Sequence, residues 1–156
     1  MPGELVMEQY ERKFSGNPFM DHNYVSVEHA ENGNASCTLS LRRESLNVYG
    51  YAHGGALYTI ADDAAGFAAH ADGRAYVTQS STMHFLSNRS EGILTGTANV
   101  RHRGRRTCLV DVEITDEAGK LLVTGSFEFF CVGEKSPVPV RTDAEHPAPR
   151  SDIPLK

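Results

Sequence analysis

Residues 47–62 read NVYGYAHGGALYTIAD, and they contain the start of the one long helix that the sequence predicts. Gly54 and Gly55 have no Cβ, so their backbone N–H groups can come close to a bound group. The first N–H groups of a helix lack partners within the helix and carry partial positive charge, which suits an oxygen that becomes negative during a reaction. Asp62 lies among alanine, leucine and isoleucine in the same helix. This stretch is therefore the first candidate for a functional site.

The predicted helix covers about residues 54–70 and is rich in alanine and glycine, so a curved sheet can pack closely around it. Alternating apolar and polar residues predict strands before and after this helix. Short links between the last four strands favour antiparallel neighbours. The predicted strands are 24–29, 35–42, 75–86, 92–103, 106–116 and 120–132. The sequence thus predicts an α+β fold, with an antiparallel sheet of about six strands wrapped around one long central helix.

The chain of 156 residues is long enough for one domain with a substantial core. We predict an N-terminal helix and linker at 1–18, because residues 4–14 have helical spacing and Asn17-Pro18 ends that element. The domain itself is predicted at 19–133. Residues 134–156 contain five prolines and mixed charge, and we predict that they form an extended or disordered tail.

Composition argues against several classes of protein. The formal net charge of −5 offers no general attraction to nucleic acid or to anionic lipid. No apolar run approaches the roughly 20 residues that a membrane span needs, and the N-terminus lacks the apolar core of a signal peptide. The seven histidines are scattered, without the spacing of a zinc site, so we expect no metal. Cys37, Cys108 and Cys131 are far apart, and we expect them to be buried free thiols in a reducing cytoplasm.

Asn47, His53-Gly54-Gly55 and Asp62, followed by the strand TQSSTMHFL at 78–86, resemble the hotdog-fold acyl-CoA thioesterases, and in particular their PaaI-like branch. The resemblance covers about residues 20–132. It implies that the strands curl around the helix and that the active unit is at least a dimer. It also implies that CoA thioesters bind where two subunits meet. A homotetramer is left open, and CoA enters as part of the substrate, with no separate cofactor.

The family's functional positions fall on five residues of this chain: Asn47, His53, Gly54, Asp62 and Thr78. The neighbouring Asp63 falls where the family has no catalytic acid, so the resemblance gives it no role.

Hydrolysis of a thioester requires a stabilised oxyanion and an attacking water or carboxylate, and these needs assign roles to the five residues. We expect the Gly54 N–H and the Asn47 side chain to stabilise the oxyanion, and Asp62 to act as base or nucleophile. Thr78 is expected to hold the attacking water, and His53 to shape the turn rather than to steady the leaving sulfur. Simpler structural roles remain open: a helix cap for the glycines, a loop bond for Asn47, a solvated acid for Asp62 and an ordinary strand residue for Thr78.

Spacing limits how these groups can cooperate. Gly54 and Asp62 are eight residues apart, or roughly 12 Å along a helix at about 1.5 Å per residue. One thioester carbon cannot lie within about 3 Å of both groups. The spacing therefore predicts an obligate oligomer, in which a second subunit brings its Asp62 to the first subunit's Gly54, with two sites per symmetric dimer.

Substrate binding is expected from residues around this motif. Arginine matches phosphate oxygens well, so we expect arginines to bind the phosphates of CoA, although a charged hairpin tip that keeps an edge soluble is the alternative. We also expect Gly55 to approach the ligand and an aromatic residue, Phe85, to line the acyl pocket. The candidate arginines are Arg89, Arg103, Arg105 and Arg106.

Three other functions remain to be weighed against an acyl-CoA thioesterase. A non-catalytic acyl-CoA-binding protein of the same fold would keep the dimer and the arginines but would not need Asp62. A hydrolase of acyl-carrier-protein thioesters is compatible with the sequence. A hotdog dehydratase uses a different motif, which this chain lacks.

Overall fold

A computed structural model describes residues 17–137 of the protein. The predicted helix at 4–14 and most of the predicted tail lie outside the described residues. Instead of only ending an element, Asn17-Pro18 begins a short helix, α1 (Pro18–His22). The Asn17 side chain accepts a hydrogen bond from the Met20 N–H at 2.9 Å, and a proline at the first helical position needs no partner for its nitrogen.

Six strands form one antiparallel sheet around a single long helix, as the sequence predicts. The long helix α2 (Gly54–His70) begins and ends at the predicted residues, and a 3₁₀ turn, Arg43–Ser45, precedes it. The strands are β1 (Val25–Glu31), β2 (Asn34–Ser40), β3 (Ala75–Phe85), β4 (Ile93–Arg103), β5 (Thr107–Thr115) and β6 (Leu121–Gly133). Their order in the sheet is β1-β2-β4-β5-β6-β3.

The β1–β2 hairpin is made by Asn32-Gly33, and Asn-Gly between two alternating segments is in itself a strong sequence signal for a hairpin. Both residues have positive φ, at 49° and 76°, so the two-residue turn follows the right-handed twist of the strands that it joins. Glu31 pairs with Asn34 directly across the turn. Short-range chemistry alone is enough to specify this connection.

Small residues bring α2 against the middle of the sheet. The helix buries five alanines completely: Ala61, Ala64, Ala65, Ala68 and Ala69. Opposite them, Gly96 of β4 has no room for a side chain, because a Cβ there would lie 3.1 Å from Cγ1 and 3.2 Å from the carbonyl oxygen of Ile60. Close packing of this kind fixes where along the sheet the helix lies, and so where its functional residues point.

β3 is an edge strand of the sheet, since it pairs with β6 on one side only. Its pairing shifts register between Thr78 and Ser80, which leaves Gln79 as a bulge. Side chains of a regular strand alternate, so Thr78 and Ser81 would face opposite ways without the bulge. With it, both side chains face α2 and bond to residues of that helix.

Candidate active site

The turn before α2 is held by Asn47. Its Oδ1 accepts hydrogen bonds from the N–H groups of Tyr49 at 2.9 Å and Tyr51 at 3.2 Å. Backbone bonds from Asn47 to Tyr51 and from Gly50 to Asn47 close the turn, and Gly50 has a φ of +79°. Within residues 17–137 the Asn47 Nδ2 group makes no hydrogen bond. Asn47 thus combines the loop role that the sequence left open with an unused donor.

His53 caps the first turn of α2. Its Nδ1 accepts a hydrogen bond from the Gly55 N–H at 2.8 Å, which places the ring proton of the neutral side chain on Nε2. A Cβ on Gly55 would lie 3.0 Å from that Nδ1, so glycine allows the cap to form. The sequence assigned Gly55 to substrate binding, whereas its N–H is already engaged by His53.

Gly54 differs from Gly55 both in the hydrogen bonding of its N–H and in the space around the position of a Cβ. Its N–H makes no hydrogen bond with any described residue, and nothing lies within 4 Å of where its Cβ would be. An unbonded donor at the positive end of a 17-residue helix, beside open space, suits an oxyanion.

Asp62 faces β3 from the middle of α2. It is half-buried and accepts a hydrogen bond from Thr78 Oγ1 at 2.8 Å. One helical turn earlier, the hydroxyl of Tyr58 bonds to that of Ser81, and the Tyr58 ring meets Phe127 edge-on. Two polar links therefore join α2 to the edge strand. The Tyr58–Ser81 link escaped sequence reasoning, because it depends on the bulge.

Asp63 lies beside Asp62 in a cavity of about 180 Å³, which the sequence did not predict. The cavity is lined by Phe19 of α1 and by Tyr58, Thr59, Asp62 and Asp63 of α2. Burial, together with the charge of Asp62, raises the pKa of Asp63 to about 7. Its Oδ2 atom is buried and has no hydrogen-bond partner among the described residues. The only sequence signal for this feature was a second acid next to the first.

Arg103 is engaged at the C-terminal end of α2. Its guanidinium donates to the carbonyl oxygens of Ala69 at 2.9 Å and Ala68 at 3.3 Å, and it pairs with Asp72 at 2.9 Å. These contacts satisfy the last carbonyls of the helix and its negative end. Burial raises the pKa of Tyr76 to about 12, aided by its hydrogen bond to Asp72. The sequence placed Arg103 among the phosphate-binding residues, whereas here it holds the helix to the sheet.

The other candidate arginines divide into two kinds. Arg89 pairs with Asp116 at 2.7 Å and donates to its neighbour's backbone oxygen, so its charge is already compensated within the chain. Arg105 and Arg106 are exposed, and their guanidinium groups make no contact with the described residues that would compensate their charge. Arg105 and Arg106 can therefore bind a phosphate without first breaking an ion pair within the chain.

Several large apolar side chains near the site face solvent in the single chain. Val48 is 96% and Tyr49 is 83% exposed at the tip of the turn, and Phe85 is 51% exposed at the end of β3. Exposed apolar groups on a hydrogen-bonded turn and on an edge strand are typical of surfaces that are covered by a ligand or another chain.

The part of the chain that the structure describes has neither a cluster of metal ligands nor a helix that could span a membrane. It contains no group of three or more potential metal-ligating His, Cys, Asp or Glu side chains. None of its helices has the length and apolar composition to cross a membrane.

The sequence and the fold are similar to those of known thioesterases. A family model described as the thioesterase superfamily matches residues 49–123. The acyl-coenzyme A thioesterase PaaI of Escherichia coli is 34% identical over 97 residues, which cover 62% of this chain and 69% of that protein. The crystal structure of E. coli PaaI, from the phenylacetic acid degradation operon, matches with a TM-score of 0.75 at 27% identity, over 84% of this chain and 93% of that one.

A hypothetical thioesterase of Streptococcus pneumoniae, solved with coenzyme A, matches with a TM-score of 0.68 at 33% identity, over 72% of this chain and 91% of that one. That protein has also been solved with an aspartate replaced by alanine and with a threonine replaced by alanine. Those two positions are 16 residues apart, as Asp62 and Thr78 are here. The chain belongs to the thioesterase superfamily, and within it to the PaaI-like proteins with the hotdog fold.

Proposed function

We propose that the protein hydrolyses acyl-CoA thioesters to a free acid and CoA, at a site to which two subunits contribute. The observation that carries this proposal is the Asp62–Thr78 hydrogen bond on the same helix whose first N–H, that of Gly54, is unbonded. The names of the relatives support the substrate class, since PaaI of E. coli is an acyl-coenzyme A thioesterase and the streptococcal structure contains coenzyme A.

The thioester carbonyl oxygen accepts hydrogen bonds from the Gly54 N–H and from Asn47 Nδ2, which have no partners among the described residues. Asp62, as base or nucleophile, either takes a proton from the attacking water or attacks the carbonyl carbon itself. Thr78 Oγ1 donates to Asp62, so its lone pairs can accept a hydrogen from the water and hold it in line. The tetrahedral intermediate then expels the CoA thiolate. In the base route the thiolate recovers the proton that Asp62 took from the water. In the nucleophile route the thiolate takes a proton from solvent, and water then hydrolyses the acyl–Asp62 anhydride to the free acid and restores the Asp62 carboxylate.

Two subunits complete the site. The regular helix α2 separates Gly54 from Asp62 by roughly 12 Å in one chain, which is too far for one carbon to meet both. A second chain that packs along the edge strand β3 brings its own Asp62 and Thr78 to the first chain's Gly54 and Asn47. The same packing covers exposed apolar groups such as Phe85.

Arg105 and Arg106 are the proposed contacts for the CoA phosphates, because their charge is not compensated within the described chain. Arg89 and Arg103 support the site indirectly, through Asp116 and through the end of α2.

The test is a panel of acyl-CoA esters, assayed by release of free thiol, on the wild type and on Asp62→Asn. The amide keeps the shape and the contact with Thr78 but is neither base nor nucleophile, and loss of a base costs about 100-fold or more. Asp111→Asn is the matched control, since Asp111 is a half-exposed acid on β5 that pairs with Arg101 outside the site, and it should retain full activity.

Undiminished turnover by Asp62→Asn would refute the assignment of Asp62. If no CoA ester is hydrolysed but acyl-CoA binds, the non-catalytic alternative is favoured. Turnover confined to acyl-carrier-protein esters would instead change the carrier and keep the mechanism.

A further inference from the structure

Asp63 is a half-buried acid that the proposed mechanism does not use. Its Oδ2 atom is shielded from solvent and has no hydrogen-bond donor among the described residues. A buried ionised carboxylate needs such donors or a cation, because it loses its hydration without compensation. Nothing in its described surroundings provides either.

Asp63 borders the cavity together with four other described residues. From α1 the neighbour is the uncharged ring of Phe19, and from α2 the neighbours are Tyr58, Thr59 and Asp62. None of the described residues that line the cavity is basic, and Asp62 is the charged group whose field acts on Asp63. Two adjacent carboxylates on one cavity cannot both ionise without mutual repulsion.

Burial and this repulsion act in the same direction. They raise the pKa of Asp63 to about 7, far above the usual range of an aspartate. A second negative charge on the pair is therefore opposed until the pH passes neutrality.

We propose that Asp63 is a positioning residue for Asp62: its protonated carboxyl restricts the pair to one negative charge, which Asp62 carries. The proposal rests on the proposed function of Asp62. Asp63 acts through its neighbour and does not itself touch the thioester. The sequence resemblance gave this position no role.

Ionisation of Asp63 has a defined consequence for the reaction. A second negative charge then borders the cavity of Asp62, where it repels both the anionic CoA ester and the oxyanion that forms on attack. The value of kcat/KM should consequently fall as the pH rises through about 7. Replacing Asp63 with a group that cannot ionise should remove that fall.

The experiment compares pH profiles of kcat/KM for the wild type and Asp63→Asn, corrected for spontaneous thioester hydrolysis. Between pH 6 and 9 we expect kcat/KM of the wild type to fall at least about 5-fold, and kcat/KM of Asp63→Asn to change by less than about 2-fold. Thr59→Val is the matched control: it changes another polar residue of the same cavity, leaves the acid pair intact and should keep the alkaline fall. Profiles of Asp63→Asn and wild type that superimpose would overturn the proposal, and Asp63→Ala replaces the amide variant if the latter does not fold.

A second readout separates this proposal from the proposed function. Titration of the aspartate side-chain carbons in the full chain by ¹³C NMR, with Asp63→Asn for assignment, reports the protonation of Asp63 whether or not a thioester is hydrolysed. A resonance that titrates near neutral pH and is absent from Asp63→Asn supports the proposal. An Asp63 carboxyl that titrates near pH 4 overturns it, even in an active enzyme. Absence of any thioesterase activity would refute the proposed function while this titration still tests the acid pair.

Discussion

The two ends of the proposed site differ in how they are built, although both belong to α2. At the start of the helix, the side chains of Asn47 and His53 make their hydrogen bonds within a stretch of nine residues, and Asn88 and Arg89 bond to the backbone of Ala52. In the middle, Asp62 is oriented by Thr78, 16 residues away on an edge strand, and Asp63 by a cavity wall that includes Phe19 of α1. The side-chain bonds of the first half are local, and the loop before β4 holds its backbone in place. The second half exists only when helix, sheet and α1 are assembled.

The largest expected effect tests whether these halves come from different subunits. Asn47→Ala disables the oxyanion half and Asp62→Asn the acid half, so each variant alone should fall to about one hundredth of wild-type activity or less. When the two are denatured and refolded together, half of the dimers contain one chain of each kind, and each such dimer has one intact site. We expect recovery to about a quarter of wild-type activity.

The control mixes Asp62→Asn with Thr78→Val. Both lesions lie in the same half, so no mixed dimer has an intact site, and activity should not exceed the sum of the separate variants. If neither mixture recovers activity, one chain forms the whole site or the assembly differs from the proposed one.

The next effect concerns how the free energy of unfolding depends on the protonation of Asp63. Because the pKa of Asp63 is raised, the folded protein keeps this proton over a range where the unfolded chain has lost it. Stability then falls as the pH rises from about 4 to about 7, and the loss persists above that. At about 1.4 kcal/mol per pKa unit the full shift corresponds to roughly 4 kcal/mol.

Asp63→Asn removes this dependence. Relative to wild type, its free energy of unfolding should improve by about 2–4 kcal/mol between pH 4.5 and pH 8. Urea unfolding at a fixed protein concentration measures the difference, which must depend on pH if the explanation is right. A constant offset would attribute the effect to packing.

A smaller effect separates the arginines that hold the fold from those proposed to hold substrate. Arg103→Ala leaves the carbonyls of Ala68 and Ala69 and the charge of Asp72 without their partner, and should lower the free energy of unfolding by about 2 kcal/mol. Arg106→Ala should leave stability within about 0.5 kcal/mol, because the exposed side chain loses no partner among the described residues. Its effect should instead appear as a raised KM for acyl-CoA, measured in the thiol-release assay. An unchanged KM would leave Arg106 a role in solubility only.

The smallest expected effect contrasts the two glycines of the local half. Gly55→Ala places a Cβ 3.0 Å from His53 Nδ1 and should weaken the helix cap by about 1 kcal/mol. Gly54→Ala meets nothing within 4 Å, so it should not lower stability and should raise it by up to about 1 kcal/mol by restricting the unfolded chain. Its added methyl group stands beside the proposed oxyanion donor, so Gly54→Ala should nevertheless reduce kcat/KM. Thermal unfolding and turnover of both variants check the contrast, and equal stability losses would contradict it.

Much of the fold could be read from the sequence, because its signals are local. The period of α2, the Asn32-Gly33 turn and the alternating strands act over a few residues, and the structure confirms each of them. The helical start at Pro18 was missed, although Asn17-Pro18 is as suitable for beginning a helix as for ending one.

The candidate site was less accessible to sequence reasoning. The arginines of 101–106 look alike in sequence, yet Arg103 faces the end of α2 and Arg106 faces solvent. Gln79 gives no sign that it forms a bulge, and the bulge decides that both Thr78 and Ser81 meet the helix. From the sequence, Asp63 could only be said to fall where the family has no catalytic acid. The cavity that it borders is visible only in the structure.

By itself, the sequence determined the helix, the capped turn before it and the presence of an acid eight residues beyond Gly54, since each depends on backbone preferences and hydrogen bonds between near neighbours. The helical rise turned that spacing into the prediction of a second chain. Only the tertiary structure decided which donors are already occupied, which arginine is free and how deeply Asp63 is buried. Those properties depend on what packs against a side chain from distant parts of the chain, and burial and charge compensation are sums over all of these neighbours.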